Sequence, residues 1–222
     1  MIGSLTPDFE YFIRMKVQSN FSHTSLGLFW FDLPLGILLA FIFHNIVRNA
    51  LFDNLPLDLR CRFIGYKGFN WNEYFAANWH IASLSFLIGA FSHLLWDSFT
   101  HEHGTFVEVF PGLSRTVVLI FGKEIPFFKV LQHCSTLLGT LTIVVVIYRL
   151  PLNTNTAGKI NVKYWIVLLA ITLTLIVSRL SFGLGAVTYG NIIVTAISSM
   201  IASLILTPIA LALLIKSNRN RE

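Results

Sequence analysis

The stretch His80-Ile-Ala-Ser-Leu-Ser-Phe-Leu-Ile-Gly-Ala-Phe-Ser-His93-Leu-Leu-Trp-Asp97-Ser-Phe-Thr-His101 decides the fold. It belongs to an apolar run over residues 76–98, long enough to cross a hydrocarbon core that needs about 20 helical residues. Towards its end His93, Asp97 and His101 recur every four residues. Four residues is about one helical turn, so the three side chains share one face. Ionisable groups at membrane depth are costly unless a partner, a metal ion or water compensates them, which makes such a stripe a functional hypothesis.

The rest of the chain has the same character. Its 222 residues are 55% hydrophobic and 12% charged, with a mean hydropathy of +0.69, whereas soluble domains are about 25% charged. This is the composition of an integral membrane protein. Four more segments are long and apolar enough to span a bilayer, at roughly residues 28–48, 127–149, 162–180 and 190–215. In the first of them Asp32 and Pro34 occupy the early turns, so its regular helix is expected to begin near Leu33. The expected fold is all-α, a polytopic transmembrane bundle of five spanning helices forming a single membrane domain over 1–222. Its motifs fall within 1–140, and 141–222 supplies the C-terminal transmembrane helices.

The joining segments are polar or rich in breakers, notably Asp53 to Asn72, Pro151 to Gly158 and Gly183-Leu-Gly185. The segment Glu102 to Pro126 reads as either a short strand or a surface helix. The start Met1-Ile-Gly-Ser-Leu-Thr-Pro has neither the charge nor the apolar core of a secretory leader, so the first span is expected to direct insertion. Cys61 in a loop and Cys134 in a span fall towards opposite faces, and no disulfide between them is expected.

The net charge of +5 is spread around the apolar segments with no long basic run, which argues against nucleic acid as a partner. Five spans put the N-terminal region and the loops near 98–127 and 180–190 on one side, with Arg14, Lys16, Arg115, Lys123, Lys129 and Arg179. The other side has Arg48, Arg60, Arg62, Lys67, Arg149, Lys159, Lys163, Lys216, Arg219 and Arg221. Ten against six makes the second side, with the C-terminus, cytoplasmic by the positive-inside rule. The expected location is therefore a cell inner membrane.

That topology brings Asp8, Glu10, His23, His93, Asp97, His101 and His133 to the outer side. Neutral imidazole and carboxylate are the usual ligands of zinc and other catalytic divalent ions. Asp8, His23, His93, Asp97, His101 and His133 are the candidate ligands, with zinc the expected ion. A carboxylate left free, Glu10 or Asp97, is the candidate general base. His44 and His80 fall at the opposite end. Arg179, at the outer end of the fourth segment, suits bidentate recognition of a substrate phosphate or, more plainly, an interface anchor. The plain alternatives for the others are a polar network pinning helices together, a structural hydrogen-bonded His133, and a solvated turn at Asp8 and Glu10. Trp30, Trp71, Trp79, Trp96 and Trp165 read as interfacial belts.

Four motifs together carry a resemblance. They are Gly3-Ser-Leu-Thr-Pro-Asp8-Phe-Glu10-Tyr, then His23-Thr-Ser-Leu-Gly-Leu-Phe with Asp32-Leu-Pro-Leu-Gly36, then Gly89-Ala-Phe-Ser-His93-Leu-Leu-Trp-Asp97-Ser-Phe-Thr-His101, then Leu131-Gln-His133-Cys-Ser-Thr-Leu-Leu-Gly139. Over residues 1–140 the chain resembles an uncharacterised family of bacterial membrane proteins, itself distantly similar to membrane-bound metal-dependent hydrolases and loosely to zinc-dependent phospholipase C. By that likeness Asp8, His23, His93 and Asp97 match the hydrolase pattern, and Glu10 stands where the hydrolases carry a second Asp. The relatives also carry a Ser-His-Pro element some tens of residues before the Gly-Ser-x-x-Pro-Asp motif. This sequence begins at the motif, so the expectation is a start lying further upstream or a centre with one ligand fewer.

The expected function is a membrane-bound metal-dependent hydrolase acting on a lipid or lipid-linked phosphoester at the outer bilayer surface. The alternative is a non-enzymatic membrane protein, a transporter or structural bundle, that uses the His/Asp cluster for protons or metal ions. A transporter is expected to show repeats and broken helices at the midplane, and neither is legible in the sequence.

Overall fold

The computed structural model describes residues 1–120, 123–153, 160–182 and 188–219. The expected breakers at 154–158 and 183–185, and Lys159 and Arg221 of the charge count, lie outside the described residues. Five helices are long and apolar enough to cross a membrane: Leu28–Asn54, Trp71–Thr100, Phe127–Arg149, Val162–Phe182 and Tyr189–Arg219, the first to fifth spans. The protein is an all-α, multi-pass membrane bundle.

The first span starts at Leu28 and its regular helix at Leu33, as expected: a π-helical turn, Leu28–Asp32, leads into the α-helix Leu33–Ile42, and Pro34 sits in that helix's first turn, where a missing N–H costs nothing. A second π turn, Phe43–Val47, precedes Arg48–Asn54. Wide turns of this kind add a residue and shift the next stretch of helix to another face. Asp32 closes the first of them and is turned fully inward, at 1% exposure.

The second span starts at Trp71, before the expected 76, because the Asn70 side chain accepts from the N–H groups of Asn72 and Glu73. Its 30 residues are broken by a kink at Asn78, where φ is −131 and ψ 29. The stretch 79–100 beyond the kink runs about 33 Å, close to a hydrocarbon core of about 30 Å, which puts the kink towards one membrane face and Thr100 towards the other. The segment 102–126 holds both alternatives read from sequence, the short helices Thr105–Val109 and Pro111–Ser114 and an antiparallel hairpin of Thr116–Ile120 with Lys123–Pro126.

Two short elements not foreseen from hydropathy position the site. A 3₁₀ helix, Gly3–Asp8, runs into the helix Phe9–Arg14, and the pair wedges against the first two spans. The wedge lies backbone to backbone on the second span. A Cβ on Gly3 would meet the Phe86 carbonyl oxygen, and a Cβ on Gly89 would lie 2.8 Å from the Ser4 nitrogen. Only glycine permits that approach. Met15, at φ 49, ends the wedge in a left-handed cap, and its carbonyl accepts from Arg179 Nη2 and Thr195 Oγ1, each at 3.4 Å. The Val17 N–H donates to Asn191 Oδ1 at 3.0 Å, completing the tie to the fifth span.

Behind the wedge, Ala40, Ala82 and Phe86 form a small apolar core between the first two spans. The fourth and fifth spans pair through small hydroxyl residues, with Thr172 and Ser203 at 2.6 Å, as expected for helices packing in lipid. The third span is exposed except at Phe128, half-buried residues aside, and meets the second through Trp96 Nε1 donating to Ser135 Oγ at 3.1 Å. Trp96 and Trp165, whose Nε1 donates to the Asn54 carbonyl at 2.8 Å, thus bond within the bundle as well as edging it.

Candidate metal centre

The wedge, the 19–23 loop and the C-terminal end of the second span converge. Asp8, His23 and His93 each offer one ligand atom, all within 4.8 Å of one another. Asp8 Oδ1 lies 3.7 Å from His23 Nε2 and 3.6 Å from His93 Nε2. Asp97 Oδ2 lies 3.5 and 3.2 Å from the same two nitrogens. Separations of this size suit direct His–Asp ion pairs, and ligands of a tetrahedral ion bound at 2.0–2.1 Å stand about 3.3 Å apart as well.

The two rings are held from behind. His93 Nδ1 is 2.8 Å from the Ser4 carbonyl, an oxygen that can only accept, so Nδ1 carries the proton and Nε2 presents its lone pair. Gly89, one turn earlier, makes that bond possible by letting Ser4 approach. His93 Nε2 is buried and has no hydrogen-bond partner among the described residues. His23 Nδ1 lies 3.1 Å from both Ser19 Oγ and Ser22 Oγ. Ser19 Oγ donates to Glu10 Oε2 at 3.0 Å and so accepts from His23 Nδ1, which turns His23 Nε2 inward as well. A ligating histidine oriented through its other nitrogen is the usual second layer of a metal site.

Glu10 stands behind the cluster. Its Oε1 accepts from Asn20 N–H and Arg14 Nε, and its Oε2 from Phe21 N–H, Ser22 N–H and the Ser19 hydroxyl, all at 2.9–3.0 Å. Burial alone would raise its pKa, but the donors from Ser22, Asn20, Phe21 and Ser19 outweigh it and lower the value from 4.5 to about 2. A carboxylate so stabilised is a poor proton acceptor at neutral pH, so the base role expected for Glu10 does not fit its contacts. Asp8 behaves oppositely. Burial raises its pKa above 3.8, and the neighbouring His93 and His23 only partly reverse that.

Tyr11 stacks on His23 with ring centroids 5.1 Å apart, and burial, followed by the charges of Asp8 and Asp97, raises its phenol to about 12. Asp32, fully buried, acts electrostatically on His23 and His93, and neither of its oxygens has a hydrogen-bond partner among the described residues. Asp97 Oδ1, the oxygen facing away from the cluster, lies 3.4 Å from His101 Nδ1. His101 is therefore adjacent to the ligand set rather than within it.

The cluster opens on a cavity of about 700 Å³ lined by Tyr11, Ser19, His23, Asp97, His101 and Lys129 among others. His133 does not reach it. Its side chain is exposed, and its neighbour Gln132 points inward instead, with Nε2 3.4 Å from His101 Nε2. One residue along a helix turns the side chain by about 100°, which spacing alone did not phase. Arg179 donates to the Met15 carbonyl at 3.4 Å and does not line the cavity. His44 stacks on Trp71 at 5.1 Å and bonds Arg48, remote from the cluster as expected, and His80 is exposed. Sequence reading missed Ser4, Ser19, Tyr11, Lys129 and Gln132. The Ser19 and Ser22 pair just before His23 was the one legible signal.

A model of the family described as Domain of unknown function (DUF4184) matches residues 1–209. The chain belongs to this family. No curated protein and no solved structure matches it. For this DUF4184 member, function therefore has to be argued from the site itself.

Proposed function

We propose that this is a metal-dependent hydrolase of a bacterial inner membrane, acting on a lipid or lipid-linked phosphoester at the outer bilayer surface, with a cytoplasmic C-terminus. One observation carries the reading: two histidines, each oriented by an outward Nδ1 bond, aim Nε2 at two carboxylates across 3.2–3.7 Å. His93 Nε2 lies 3.2 Å from Asp97 Oδ2 and 3.6 Å from Asp8 Oδ1 without a well-aligned hydrogen bond among the described residues. Two half-buried carboxylates, Asp8 and Asp97, thus face two rings, an arrangement into which a divalent cation would fit as the shared partner. The softness of imidazole with carboxylate favours zinc.

A zinc ion held there would polarise the phosphoryl oxygen and lower the pKa of the attacking water towards about 7. Of the two carboxylates considered, only Asp97 faces the cluster. Its Oδ2 points to His23 and His93 and its Oδ1 to His101, so within the Asp97–His101 pair the carboxylate orients the ring and the His101 imidazole would take up the proton of the attacking water and carry it towards the cavity. Water adds to phosphorus, the ester P–O bond breaks, and the leaving alcohol recovers a proton from the same pair. The surrounding apolar spans let the lipid part of the substrate enter sideways.

The test is elemental analysis and zinc titration of the detergent-purified protein beside His93→Ala and Asp97→Ala, with release of phosphate or head group from lipid phosphoesters as the activity readout. One tightly held zinc per chain in the parent, lost in both variants, is expected. A parent that takes up no divalent metal overturns the reading. Variants that are less stable but hold as much metal establish the structural alternative.

A further inference from the structure

Lys129 stands at the mouth of the third span on the wall of the 700 Å³ cavity, half-buried, in the first turn of the helix Phe127–Arg149. Among the described residues no carboxylate pairs with it. Its Nζ donates to Gln132 Oε1 at 3.0 Å and lies 5.6 Å from the Phe128 ring centroid, contacts that hold an ammonium group without neutralising it. Glu102 also lines the cavity but makes no ion pair with it. The Gln132 amide is thereby fixed, oxygen to Lys129 and nitrogen to His101 Nε2 at 3.4 Å. Through His101 Nδ1 and Asp97 Oδ1, 3.4 Å apart, this arrangement reaches the ligand set.

A lysine that only snorkels to the bilayer surface does not need a glutamine to hold its head group over a cavity. A cation lining the same cavity as His23 and Asp97 is suited to a tetrahedral dianion, which can place one oxygen towards the cluster and another on the ammonium. The cavity volume falls in the range of small-molecule sites, about 300–1,000 Å³.

We propose that Lys129 is the phosphate-recognising residue of this cavity, positioned by Gln132, and that the ligand it selects presents a terminal dianionic phosphate group. This rests on the metal-centre reading for its catalytic meaning, but not for its binding test. The ligand chemistry is shared by free phosphate and by a lipid such as phosphatidic acid, and it excludes a zwitterionic choline head group as the preferred ligand.

The experiment measures inorganic phosphate binding by calorimetry to wild type, Lys129→Gln, Lys129→Arg and Gln132→Ala in detergent, each with and without added zinc, with zinc affinity and melting temperature recorded in parallel. Lys129→Gln is expected to weaken phosphate binding about ten- to hundredfold, the range for one charged hydrogen bond, while zinc affinity stays within about twofold because Lys129 is not a ligand. Lys129→Arg is expected to recover most of the loss, and Gln132→Ala to show a smaller one. A second arm uses nanodiscs containing phosphatidic acid or only phosphatidylcholine. Tighter binding of phosphatidic acid than of inorganic phosphate assigns the site to a lipid head group, and the reverse assigns it to a soluble phosphate. Equal phosphate affinity of wild type and folded Lys129→Gln, or tighter binding of phosphatidylcholine than of phosphatidic acid, overturns the proposal. If zinc fails to bind while the Lys129 effect persists in metal-free protein, the hydrolase reading falls and the phosphate site stands.

Discussion

Replacing Glu10 by glutamine keeps the size of the side chain and removes its charge, which makes it a clean probe of how the centre is supported. The carboxylate accepts three backbone N–H groups, the Ser19 hydroxyl and Arg14 Nε, at 3% side-chain exposure. Glutamine turns one acceptor into a donor, so its NH₂ must face either the Ser22 and Phe21 N–H groups or those of Asn20 and Arg14. The displacement of the pKa from 4.5 to about 2 sets the scale, about 3 kcal/mol at 1.36 kcal/mol per unit. Because the folded value is depressed, the stabilisation is fully present above the unfolded value of 4.5 and is lost as pH falls through that value towards about 2. Unfolding of the detergent-solubilised protein by a denaturing surfactant, followed by tryptophan fluorescence, is expected to show Glu10→Gln less stable by about 3 kcal/mol at pH 7, the two proteins converging towards pH 2. Since Ser19 bridges Glu10 to His23, zinc affinity is expected to fall about tenfold as well, the usual cost of a lost supporting partner. A variant as stable as wild type at pH 7, or a gap that stays open in acid, refutes the reasoning.

The remaining expectations concern particular neighbours of the centre. Gly89→Ala places a methyl 2.8 Å from the Ser4 nitrogen and is expected to cost about 1–3 kcal/mol in the same unfolding assay, together with part of the bound zinc, because the Ser4 carbonyl is pushed off His93. His133→Ala is expected to leave zinc content and hydrolysis unchanged; a loss of metal there would show that the third span turns differently. Ultraviolet titration at alkaline pH is expected to contain one tyrosine transition near 12 that disappears in Tyr11→Phe. Trp96→Phe removes the bond to Ser135 and is expected to lower stability by about 1 kcal/mol, with zinc affinity retained.

The spans were legible because lipid imposes a coarse rule, a run of apolar residues of fixed length, and residues 127–149 obey it to the residue. The stripe of His93 and Asp97 was legible for a related reason, since polar groups on an apolar rod stand out and their spacing fixes a common face. What hydropathy does not encode is the wedge Gly3–Arg14, too short to register and held by backbone contact rather than by apolar pattern. Glu10 and Asp8 show the same limit at finer scale. Both read as residues of one functional face, yet two helical residues differ by about 200°, which turns Asp8 to His23 and His93 and Glu10 to a ring of backbone donors. The phase of the third span failed for want of a landmark, as Gln132 and His133 are both polar and only the packing of Trp96 on Ser135 chooses between them.

The contact of Gly3 with Gly89 also bears on how the protein is made. The ligand set joins a residue near the start of the sequence to one at the far end of the second span, and the two meet only where bare backbone lies on bare backbone. A nascent chain that has inserted only its first span holds Asp8 and His23 but no surface on which to seat the wedge. The cluster is thus completed only after the second span has been threaded and its Thr100 end delivered to the face that holds the wedge, so the order of insertion sets when Asp8, His23 and His93 can meet.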